Sequence, residues 1–134
     1  MPKKIHAFSL IEMLVVVAII SIVGVLAYPT YTHYFMQQRR LVAKSALYQL
    51  ASALDNYYAV YDSYQDVSLA KLGLPATVAD EHYRLEIQSL AEQHYVVTAT
   101  PLQSQTSDKL CGTLSLTSTG ERHNSGRGHL SDCW

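Results

Sequence analysis

The chain has 134 residues, 49% of them hydrophobic, with ten Lys and Arg against eleven Asp and Glu. That length allows one modest domain beside a membrane-length segment and no more. A formal charge of −1 argues against a protein whose whole surface grips nucleic acid.

The apolar residues are unevenly placed. From Phe8 to Tyr28 only Ser9, Glu12, Ser21 and Gly24 interrupt them. As a helix rising about 1.5 Å per residue, this run matches the thickness of a bilayer core. Lys3 and Lys4 precede it and no acidic residue lies before Glu12, so the positive-inside rule keeps the N-terminus cytoplasmic and exports the remainder. The run is too long for the apolar core of a secretory signal peptide, and Ala27-Tyr28-Pro29 gives no clean cleavage pattern. A simple anchor explains the length and the lysines but not Glu12. A carboxylate at mid-bilayer costs about 2.5–3.5 kcal/mol on insertion scales, so its presence points to a partner met in an assembly.

Pro29 lacks an amide hydrogen and Gly24 lacks a Cβ, so helix is expected to loosen or bend near residues 21–30. The helical pattern then resumes. Leu47, Leu50, Ala51, Leu54, Tyr57, Tyr58 and Tyr61 recur at intervals of three and four, predicting one helix from about Phe8 to Tyr61. Such a helix would be roughly 80 Å long, a packing spine more than a tether. Residues 62–80, broken by Gly73-Leu74-Pro75, read as a connecting loop anchored by Leu69, Leu72 and Leu74.

Three half-buried antiparallel strands follow. Tyr83, Leu85 and Ile87 alternate with polar residues, as do Tyr95, Val97 and Ala99, then Leu114 and Leu116. A polar segment, residues 101–109, links the second and third. From Thr117 no apolar residue occurs until Leu130, so the tail cannot hold its shape by burial alone. Cys111 and Cys133 lie in the exported part, where an oxidising compartment favours one disulfide over two free thiols. The bridge would contribute about 3 kcal/mol in the chain-entropy model and would let Trp134 serve as a packing anchor.

No Walker loop, HExxH, CxxC or GxSxG occurs, so no catalytic residue, metal ligand or cofactor is expected. His82, His94, His123 and His129 read as scattered surface residues. The segment Glu121-Arg122-His123-Asn124-Ser125-Gly126-Arg127-Gly128-His129 differs from the rest. Its cations are opposed only by Glu121 and Asp132. Arg122, Asn124 and Arg127 are the candidates for weak, salt-sensitive DNA contact. A solvated loop, or a surface for neighbouring subunits, is the competing reading.

Ala7-Phe8-Ser9-Leu10-Ile11-Glu12 resembles the processing signal of type IV pilins and pseudopilins. The resemblance covers residues 3–29, with Ala7 where the family has Gly. It implies cleavage by a prepilin peptidase between Ala7 and Phe8 and methylation of the new Phe8 amine. It also implies pairing of Glu12 with the freed amine of a neighbouring subunit. Pro29 matches a proline common in pilin helices.

Cys111-Gly112-Thr113-Leu114-Ser115-Leu116 and Asp132-Cys133-Trp134 further resemble a minor-pilin group that includes pilus-associated DNA receptors. Secretion pseudopilins commonly carry a calcium site in place of a C-terminal disulfide, so the cysteine pair argues against that relationship.

The expected architecture is α+β: a long N-terminal helix on a small antiparallel sheet, closed by a disulfide-bounded C-terminal region. Residues 1–7 would be the leader, 8–30 the membrane and assembly helix, and 31–134 the exported head. The expected function is that of a minor pilin supporting pilus biogenesis, adhesion, twitching motility or DNA uptake, with a pilus-displayed DNA receptor or a secretion pseudopilin as alternatives. Its partners would be other pilin subunits, the prepilin peptidase, the inner-membrane assembly platform and, for a receptor, DNA. It would pass from the inner membrane to a pilus on the surface of a Gram-negative cell.

Overall fold

The computed structural model describes residues 7–134, with backbone only at Ser89 and Leu90. Apart from Ala7, the expected leader lies outside the described residues. Helix α1 spans Leu10–Tyr61 and starts two residues later than the apolar run. The Ser9 carbonyl accepts the first helical bonds, from the Glu12 and Met13 amides at 3.0 and 3.2 Å. Serine favours such a boundary, where its backbone is only half helical.

The chain divides into two compact units, the first ending at Phe35 and the second covering Met36–Trp134. In the first unit, α1 passes through Gly24 and Pro29 without a break. The Ser21 hydroxyl donates to the Val17 carbonyl at 2.8 Å, and that of Thr32 to the Pro29 carbonyl at 3.0 Å. These bonds let hydroxyls sit in an apolar stretch without unpaired donors. Phe8, Leu10, Ile11, Ile20 and Val25 are all exposed. The helix is long and apolar enough to cross a membrane.

The second unit has its own core. Arg40, Ala43, Leu47, Leu50 and Leu54 follow one another at intervals of three and four and are buried along one face of α1. Full burial of a leucine stabilises by about 1.5–3 kcal/mol, so this stripe fixes which side of the helix meets the sheet. Tyr57 and Tyr58 pack against the core, whereas Tyr61 is exposed and lies against Tyr57, 4.4 Å between ring centroids.

Five strands form an antiparallel meander in sequence order: β1 (Thr77–Val78), β2 (Tyr83–Leu90), β3 (Tyr95–Pro101), β4 (Leu114–Thr117) and β5 (Arg122–Asn124). Tyr83, Leu85, Tyr95, Val97, Ala99, Leu114 and Leu116 face the core, as their alternation predicts. A bulge interrupts the β2–β3 register between Ile87 and Ser89. β1 and β5 are additions to the three strands read from the sequence, and β1 lies in the expected loop.

The polar segment after β3 is also structured. It holds a 3-10 turn, Gln103–Ser107, with Gln105 fully buried. A short helix α2, Leu130–Cys133, ends the tail.

Candidate functional site

At the start of the first unit, Ala7 and Phe8, the expected cleavage and methylation position, precede the helix and are exposed. Glu12 lies in the first turn of α1, exposed, with its carboxylate near the positive end of the helix dipole. Gly24 and Pro29 lie within continuous helix.

In the second unit, Cys111 and Cys133 are bonded, with their Cα atoms 5.5 Å apart. The tail then folds back along the segment before β4. The amides of Gly126, Arg127 and Gly128 donate to the carbonyls of Cys111, Lys109 and Leu110 at 2.9, 3.0 and 2.7 Å. A Cβ at Gly126 would run into the Leu110 carbonyl, and one at Gly128 into its side chain and carbonyl. The glycines flanking Arg127 therefore permit this internal close approach. Their role in the fold is packing the tail against the segment before β4.

The three tail residues proposed for DNA contact are not brought together as a set. Arg122 and Asn124 stand opposite Leu116 and Leu114 in the β4–β5 ladder and share their face of the sheet. Arg122 is exposed. Asn124 is half-buried and its Nδ2 donates to the Gly128 carbonyl at 3.1 Å, which commits the amide to holding the tail. His123 lies on the opposite face with Ser115, its Nε2 3.8 Å from Glu121.

Arg127 instead lines a polar cleft of about 320 Å³ with Lys109, Thr106, Thr113 and Ser125. The acid at this cleft, Asp108, is already engaged. Its carboxylate accepts from Arg40 Nε and Nη2 at 2.5 and 2.8 Å, and both side chains are buried. Gln105 Nε2 donates to Tyr83 Oη at 3.2 Å and to the Met36 carbonyl at 3.3 Å. Burial, more than any neighbouring charge, pushes the Tyr83 hydroxyl up to about 12. This network pins the polar segment to α1 and leaves the cleft lined by two cations and hydroxyls.

A second cationic group involves a residue that sequence reasoning passed over. Burial, and then the charges of Arg40 and Arg122, hold the Lys44 ammonium below its ordinary value. Lys44 and Lys109 were not singled out because each stands alone among helical or loop residues. Only the fold brings them to Arg122 and Arg127.

Two family models match this sequence. Residues 29–115 match the one described as type IV minor pilin ComP, DNA uptake sequence receptor. Residues 2–28 match the prokaryotic N-terminal methylation motif. Lys44 and Lys109 fall within the first match, whereas Arg122 and Arg127 lie beyond it.

Among solved structures the chain is similar to the non-core minor pilin PilV of Neisseria meningitidis. Identity is 17%, with a TM-score of 0.54 over 69% of this chain and 92% of that one. It is also similar to a type IV pilin from Shewanella oneidensis, at 25% identity, with a TM-score of 0.52 over 74% and 97%. The PilV similarity shows a shared fold. No curated protein matches the chain.

Proposed function

This chain belongs to the type IV minor pilin family of ComP, DNA uptake sequence receptor, and from that membership we propose that it binds DNA on the surface of a type IV pilus. The match over residues 29–115 is the observation that carries this reading. The general role, a structural subunit of a type IV pilus, comes with the family. Capture of DNA for uptake is the finer proposal, preferred here to adhesion or twitching.

The precursor sits in the inner membrane through α1 with its N-terminus in the cytoplasm. A prepilin peptidase cuts between Ala7 and Phe8, and the freed, methylated amine of one subunit meets Glu12 of another. The assembly platform then draws the chain into a fibre of other pilins, which carries the second unit outward. Binding is non-catalytic: cations positioned by α1, β5 and the tail attract the phosphate backbone, giving steep salt dependence.

Deleting the gene should abolish or sharply reduce DNA uptake while fibres still form, and the purified mature chain should retard a short DNA duplex at low salt. Normal uptake in the deletion strain, together with no retardation, would overturn the receptor reading and leave the structural one.

A further inference from the structure

Four side chains of the second unit close into a ring. Lys44 and Tyr48 stand four residues apart on α1 and so share a helix face. Tyr48, about half exposed, meets the Trp134 ring edge to face with centroids 6.0 Å apart. Trp134 Nε1 donates to the carbonyl of His123 at 3.0 Å, next to Arg122 in β5. Arg122 stands opposite core-facing Leu116 in the β4–β5 ladder, so it lies on the side of the sheet that meets α1, and its charge is felt at Lys44.

The charges around this ring are unequal. Arg40, one turn before Lys44, is neutralised by Asp108. Glu121 faces His123, on the other side of the sheet from Arg122. Asp132 is exposed on α2. Neither Lys44 nor Arg122 has a carboxylate partner among the described residues. Two cations held close together without an anion favour a polyanion that can bridge them. The half-exposed Tyr48 ring beside them offers a flat apolar face, which a sugar or base can cover.

The geometry points to Lys44, Tyr48, Arg122 and Trp134 as a contact for the DNA sugar–phosphate backbone, with the cations on phosphate oxygens and the Tyr48 ring against deoxyribose. This rests on the DNA-receptor reading and adds to it a place on α1 that the tail alone does not supply.

Trp134 is the only tryptophan in the sequence, so its emission reports on this patch alone. The test uses the mature full-length chain in detergent micelles, titrated with a short synthetic duplex and followed by mobility shift and tryptophan fluorescence. Emission should change with the same midpoint as the shift. Lys44→Gln with Arg122→Gln should flatten the slope of log affinity against log salt by about two and remove the emission change. Tyr48→Ala should weaken binding, whereas Lys109→Gln with Arg127→Gln should leave the emission change in place.

Retardation of DNA with constant emission, and a wild-type slope in the Lys44/Arg122 variant, would overturn this contact while the receptor reading stands. No retardation by the wild-type chain would overturn both. An equal emission change with polyglutamate at matched charge would assign the patch to acidic polymers in general and overturn the DNA contact.

Discussion

Asp108 accepts two bonds from Arg40 and also the Cys111 amide at 3.3 Å, all within the interior of the second unit. A buried carboxylate is tolerable only when its oxygens are matched in this way. Replacing it by alanine leaves the Arg40 guanidinium buried without its counter-charge, which costs about 3–5 kcal/mol. Asp108→Ala should therefore lower the urea midpoint of the second unit in the full-length chain, whereas exposed Glu92→Ala should leave it nearly unchanged. The difference in legibility between two acids is instructive at this scale. Glu12 stands out because apolar residues surround it in the sequence itself. Asp108 sits among Ser, Gln and Thr, and its partner lies 68 residues away. No local pattern marks a polar residue that will be buried by an ion pair.

The long elements declare themselves through repetition. Nothing in the sequence competes with the three-four spacing of Leu47, Leu50 and Leu54, and three alternating strands follow from Tyr83 onward. β1 escapes notice because two residues carry no period. β5 escapes because Arg-His-Asn has none of the branched or aromatic residues that favour strands. It forms because β4 offers a free ladder and the covalent loop from Cys111 to Cys133 brings the tail alongside. Cys111→Ser with Cys133→Ser should cost about 3 kcal/mol by the loop-entropy argument. Amide exchange at 122–128 should accelerate well before that of β2 and β3, as measured by hydrogen exchange with mass spectrometry. Gly24 and Pro29 sit within continuous helix, where a bent but intact helix is one of the readings their sequence allows. Both residues weaken a helix locally, and α1 runs as helix through both of them.

Over the whole molecule, the two units face different problems. The second buries its own leucines, whereas the first leaves Phe8 and a succession of Val, Leu and Ile exposed, so lipid or neighbouring subunits must cover them. Glu12→Ala removes charge from that surface. It should leave insertion in the inner membrane unchanged while depleting the subunit from sheared fibres, measured by immunoblot of membrane and fibre fractions. Equal recovery in fibres would refute the pairing of Glu12 with a neighbour's amine.

Crowding in the membrane before assembly also bears on β2. β1 pairs only with Tyr83 and Arg84, so from Glu86 onward β2 borders no strand on that side among the described residues. A straight open border would invite copies stored side by side to stitch their sheets together. The register shift between Ile87 and Ser89 bends that border, and Arg84 and Glu86 place a charged pair on it, 4.0 Å apart. A bent border carrying fixed charges is a poor template for joining sheets between copies held close together.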